Sequence, residues 1–196
     1  MQEPPSIKKP WTQIERGWLP RGQRPSLRTA LITSLGSFVG LLAVAVISRV
    51  AVGAEDAPYI AAYMGAAAVL IFAAPESPLC QPWALIAGHV LSAIVGVTCY
   101  RLIPDLMVAS VSAVALAILV MQLARCLHPP GGAAAMVAVL GGPSIHELGY
   151  GYALVPVGLN AVVMLGVALL VNNAIPGRRY PASRRISRSD QAQIHE

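Results

Sequence analysis

Four apolar runs, each close to the roughly 20 residues a helix needs to cross a bilayer, constrain this chain more than any other feature. They fall at Leu27–Val52, Trp83–Ile103, Leu106–Leu123 and Tyr150–Val171. At membrane depth no water is available to bond bare amides, so such spans fold as helices. Only 12% of the residues are charged, about half the share of a soluble domain, and the expected class is an all-α integral membrane protein. Two shorter apolar runs, Ala57–Ala74 and Gly131–Gly142, lie between the long ones. As helix the second would measure only about 18 Å, too short to cross alone. The expected architecture is therefore four long transmembrane helices plus two short broken or re-entrant helices.

The net charge of +5 is concentrated at the two ends. Lys8, Lys9, Arg16, Arg21, Arg24 and Arg28 precede the first span, and Arg178, Arg179, Arg184, Arg185 and Arg188 follow the last. By the positive-inside rule both ends face the cytoplasm, as expected for an inner (plasma) membrane protein. The organisation expected is a basic tail over residues 1–28, a transmembrane domain over 29–173 and a second basic tail over 174–196. The tails lack interleaved aromatic residues and adjoin spans, so anionic lipid, not nucleic acid, is their expected partner. No cleavable signal is expected, since the run from Leu27 is too long for the apolar core of a signal peptide. Cys80, Cys99 and Cys126 are widely spaced with no CxxC and read as packing residues; no metal or cofactor motif is present.

The two halves resemble one another. GAAAVLIFAAP (Gly65–Pro75) recurs as GAAAMVAVLGGP (Gly132–Pro143), and WALIAGHVLSAIVG (Trp83–Gly96) as YALVPVGLNAVVMLG (Tyr152–Gly166), with an offset that drifts from 67 to 70 residues. Alanine and glycine are common enough here for chance to compete with duplication. If the repeat is real, its halves are 29–103 and 104–173, with the interrupted segments in equivalent places, a pattern typical of a central transport site. Tails on one side require an even number of crossings. Four would make the short segments re-entrant and the repeats parallel; six would make them cross and the repeats inverted. The brevity of Gly131–Gly142 favours four.

The interruption itself, RCLHPPGGAAA (Arg125–Ala135), holds the residues most suited to chemistry. Pro129 and Pro130 lack an N–H and fit the first turn of a helix. Behind them Gly131, Gly132 and Ala133 have almost no side chain, so a helix starting there would offer free amides and partial positive charge to a small anion. His128 stands at its entrance, able to donate or to become cationic, and Arg125 would raise local anion concentration. The alternative is a structural proline-glycine kink. In APESPLCQP (Ala74–Pro82) three prolines forbid regular helix. Its polar contacts would be Ser77 and Gln81, with Glu76 as a possible proton carrier, and it would face the segment after Gly142 across the middle of the protein. His89 and Asn160 lie within spans, where polar side chains usually face a cavity or a partner. Gly36 and Gly40 form a GxxxG, read as an intramolecular contact before a dimer seam.

The strings LHPPGGAAA (Leu127–Ala135) and FAAPESPLCQPWALIAGHVLSA (Phe72–Ala93) resemble the HPP family of small membrane proteins, which takes its name from the run at His128, Pro129 and Pro130. The resemblance covers roughly Arg28–Val171. It implies four transmembrane helices and a transporter, with nitrite import into plastids and cyanobacteria the best-described role. A small-anion transporter or channel, most plausibly for nitrite and working as a homo-oligomer, is thus the leading expectation. A membrane enzyme using His128, His89 and Glu76, and a scaffold shaped by its prolines, remain as alternatives. No nucleophile elbow, HExxH or phosphate loop supports the enzyme.

Overall fold

A computed structural model describes residues 24–182 of the chain. Most of both basic tails, including Lys8, Lys9, Arg16, Arg21, Arg184, Arg185 and Arg188, lies outside these residues. The described residues are all-helical, with no strand. Four helices are long and apolar enough to cross a membrane: α1 (Leu27–Ala73), α2 (Pro82–Leu102), α3 (Leu106–Leu123) and, after two shorter helices, α6 (Ala153–Asn173). The shorter pair are α4 (Pro129–Leu140) and α5 (Pro143–Leu148).

The 47 residues of α1 would form a rod of about 70 Å, more than twice the ~30 Å of a hydrocarbon core. The helix folds instead. Gly53 has φ 79° and ψ 177°, a combination open almost only to glycine. Across this break, a Cβ on Gly36 would lie 3.1 Å from Phe72 Cε1. In an unbroken helix those residues would sit roughly 54 Å apart. Residues 27–52 and 54–73 are therefore antiparallel arms, and the apolar run Ala57–Ala74 is a full arm, not a short separate segment.

Contacts sort the ends of the arms into two levels. At the level of both tails, Trp83 Nε1–H donates to the Ala124 carbonyl (3.1 Å) and Asn172 Nδ2–H to the Ile71 carbonyl (3.0 Å). At the Gly53 level, the Gly142 N–H donates to Asp56 Oδ1 (2.8 Å), and Arg101 lies over the Tyr150 ring at 4.9 Å. The six arms 27–52, 54–73, α2, α3, α4 and α6 thus alternate in direction. The short helix α4 is continuous over Pro129–Leu140, and the run Ala57–Ala74 joins the first run through the break at Gly53. With its non-helical flanks, α4 runs from His128 at the tail level to Gly142 at the Gly53 level. The segment 74–82 and the segment after Gly142 consequently lie at opposite ends, and do not face each other in the middle.

Small residues bring the arms together. The GxxxG pair is an internal contact: Gly36 sits against Val171 and Phe72, Gly40 against Met164. Close approach of backbones, not apolar attraction, holds helices together in lipid. Around α2, Gly88 lies under the Cys126 carbonyl and His128 Cβ, Gly96 under Ala135, and Gly131 under the Gly88 carbonyl. The three cysteines are buried and free, and the Cys80 thiol donates to the Ala74 and Ser77 carbonyls at 3.3 Å.

Candidate functional site

The His-Pro-Pro-Gly-Gly run lies where α4 meets α2. His128 is the residue before the helix, extended at φ −138° and ψ 104°, as the proline after it demands. Its ring is fully buried, and Nδ1–H donates to the Leu79 carbonyl at 2.7 Å, tying α4 to the turn before α2. On α2, His89 is likewise buried and its Nδ1–H donates to the Leu85 carbonyl at 2.8 Å. The two rings are 4.6 Å apart between centroids, and Tyr63 of the second α1 arm stands 5.6 Å from His89.

A carbonyl oxygen only accepts, so each Nδ1 carries the hydrogen of a neutral ring and each Nε2 presents a lone pair. Neither Nε2 has a hydrogen-bond partner among the described residues, and neither do the buried Tyr63 hydroxyl and Ser92 Oγ. Ser92 follows His89 by one helical turn, and its Oγ would lie 2.9 Å from a Cβ on Gly131. The His89 and His128 rings and Ser92 Oγ therefore lie where α2 meets the first turn of α4, with Tyr63 beyond His89 and its hydroxyl beside that of Tyr152. Each such atom left bare costs about 1–3 kcal/mol.

The free amides expected at Gly131–Ala133 are not there. Pro129 and Pro130 have no donor, the His128 N–H points to Met121 Sδ at 3.5 Å, and the Gly131 N–H folds back onto the His128 carbonyl at 2.8 Å. These are the four positions that a helix start leaves unbonded, and all are accounted for. Gly131 is sealed against Gly88, a Cβ on Gly132 would lie 3.6 Å from Val114 Cγ1, and Pro129 and Ala133 are exposed. What α4 still offers inward is its positive dipole end, with Pro130 and Gly131 buried.

The remaining candidates lie apart from the histidines. Ser77 Oγ accepts from the Leu79 N–H, capping a short 3-10 turn. Gln81 is saturated by backbone: Nε2 donates to the Pro75 and Ser77 carbonyls, and Oε1 accepts from the Ala182 N–H. Glu76 and Arg125 are exposed, Arg125 with φ 53°. Asn160 is buried and donates to Ser48 at 2.9 Å, joining α6 to the first α1 arm with its Oδ1 unpartnered among the described residues. Three residues were missed: Tyr63, Ser92 and Asp56. Ser92 was within reach, because it shares the His89 face at i+3. Tyr63 depends on the fold at Gly53, which no hydropathy pattern records.

The family described as HPP, transmembrane region, matches residues 22–181. The chain belongs to the HPP transmembrane family. That match encloses all six arms and the histidine pair. A transmembrane protein of Dictyostelium discoideum is 40% identical over 185 residues, covering 89% of this HPP chain and 64% of the relative. A second from the same organism is 36% identical over 184 residues, covering 90% and 58%. The chain thus spans a little under two thirds of these relatives' length. No solved structure matches it.

Proposed function

We propose that this HPP protein carries a small inorganic anion, nitrite in first place, across the membrane by way of the buried site between α2 and α4. The observation that carries this reading is the set of unpartnered buried atoms on His89, His128, Ser92 and Tyr63 beside the dipole end of α4. Polar side chains left bare inside a membrane domain are costly and are usually kept for a substrate or an ion. Nitrite is compact and needs few contacts, which two hydroxyls, two imidazoles and a positive helix end supply. Nitrite itself comes from the family resemblance, and nitrate or formate would fit the same chemistry.

Six alternating arms, read as six crossings, favour inverted halves over parallel ones and put both basic tails on one side, the cytoplasmic face of the inner membrane. The outward faces of α3, with Met107, Val111 and Leu119 exposed, would meet lipid or a second copy of the chain. The test is flux. Purified protein in sealed vesicles takes up nitrite faster than protein-free vesicles, and His128→Ala abolishes the increment while eluting as wild type in detergent. Protein that moves no nitrite, nitrate or formate refutes it.

One observation favours a second reading, a membrane scaffold. Gly131 is sealed against Gly88, so the motif also welds two helices. A scaffold predicts that changing Gly131 or Pro129 disturbs assembly while His128→Ala has no consequence.

A further inference from the structure

The tautomers set a problem for an anion. With each Nδ1–H held by a carbonyl (Leu85 for His89, Leu79 for His128), the buried, unpartnered Nε2 atoms are acceptors. An anion arriving alone would meet two lone pairs. A proton arriving alone would create a buried imidazolium at the positive end of α4, which both desolvation and the helix dipole oppose.

Among the described residues no carboxylate bonds to either ring to relieve that conflict. Helices α3, α4 and α6 carry no titratable side chain within their bounds. On the second α1 arm the titratable residues are Glu55 and Asp56 at the Gly53 end, then Tyr59 and Tyr63; on α2 they are Cys99, Tyr100 and Arg101 beyond His89; and Tyr152, buried just before α6, donates to the Ala134 carbonyl and stands beside the Tyr63 hydroxyl. Cys80 lies in the turn before α2 and Cys126 just before His128. Among the described residues, no carboxylate or guanidinium hydrogen-bonds to either ring. Among the described residues, the counter-ion for a protonated pair is left to the solute.

We propose that His89 and His128 form one proton site that fills only together with the anion, so that each anion crosses with one proton and no net charge. This deepens the anion-transport reading and rests on it. On entry a hydronium ion gives its proton to one Nε2 lone pair, forming an N–H bond and leaving water. That N–H, with the Ser92 and Tyr63 hydroxyls, donates to the anion. On exit the N–H bond breaks, the proton returns to water and the anion leaves, and the ring recovers its neutral tautomer. Because each ligand improves the site for the other, the coupling is reciprocal. The proton carrier is thereby the histidine pair and not Glu76, which is exposed.

The experiment uses the full chain in sealed vesicles holding a pH-sensitive dye. External nitrite is supplied, the membrane potential is clamped with potassium and an ionophore, and protein-free vesicles give the background. The lumen is expected to acidify by one proton per nitrite taken up. The initial rate should be the same at clamped potentials of either sign and rise about tenfold per unit fall in external pH below saturation. His89→Gln and His128→Gln should flatten that pH dependence, and Glu76→Gln should leave it intact. Nitrite uptake that follows the potential without moving protons overturns this inference and leaves nitrite transport standing. Absence of flux for nitrite, nitrate and formate at every pH overturns both. Proton-coupled uptake retained in the two histidine variants removes the assignment to the pair. Should either variant fail to fold, the wild-type proton count and potential dependence decide alone.

Discussion

Neighbouring glycines in the first turn of α4 should respond oppositely to the same added methyl group. A Cβ on Gly131 would fall 2.7 Å from the Gly88 carbonyl oxygen, 2.9 Å from Ser92 Oγ and 3.1 Å from the Gly88 carbonyl carbon. Two of those neighbours are backbone, so relief requires α2 and α4 to separate, and overpacking of this kind costs about 1–3 kcal/mol. On Gly132 the nearest atom is Val114 Cγ1 at 3.6 Å, ordinary contact. Alanine is favoured over glycine in helix by up to about 1 kcal/mol at either position, so the preference cancels when the variants are compared. Gly132→Ala is expected to match or exceed wild type, and Gly131→Ala to fall below Gly132→Ala by about 1–3 kcal/mol. Thermal unfolding of both variants in one detergent, followed by circular dichroism, measures the difference. Equal midpoints would refute the claim that this motif brings two backbones into contact.

Gly53 offers a purer test of backbone conformation, because nothing lies within 4 Å of a Cβ placed there although φ is 79°. Gly53→Ala should cost about 1–3 kcal/mol from strain alone, while Gly65→Ala, equally unobstructed but helical, should stabilise by up to about 1 kcal/mol; detergent melts of the pair check both signs. Asp56→Ala strips the Gly142 N–H of its 2.8 Å acceptor and should cost about 1–3 kcal/mol, whereas Asp56→Asn keeps an oxygen in place and should recover most of the loss. Hydrogen exchange at Gly142 would report the opened bond directly.

The membrane class, the four long apolar helices and the family were legible because a bilayer imposes a length and a composition that a single sequence displays. The path of the chain was less so. Hydropathy separates Leu27–Val52 from Ala57–Ala74, but only the backbone angles of Gly53 show that the two are arms of one hairpin. For the short run Gly131–Gly142, helical rise alone omits the length that extended residues such as His128 add. At the site, His89 and His128 were visible as titratable residues in apolar surroundings. Their pairing was not, since it is made by Gly88 lying under His128 Cβ across 40 positions of sequence. Glu76 and Gln81 stand out in the sequence as polar residues among prolines, yet the prolines hold them in a turn at the tail level, where one is exposed and the other bonds to backbone.

The proline and glycine residues after His128 acquire a different purpose once the helix start is known to be closed. Two prolines remove two donors that would otherwise compete for any bound anion, and the third donor is turned back onto the His128 carbonyl. A motif built to bind through backbone amides would keep them. Instead Gly131 lets α4 press against Gly88, and that contact fixes the His128 ring 4.6 Å from His89. On the transport reading, selectivity would reside in side-chain nitrogen and oxygen atoms whose protonation can change. Binding through amides would be indifferent to pH, while binding through two imidazoles is not. The pH dependence of flux therefore separates the two designs without any further structure.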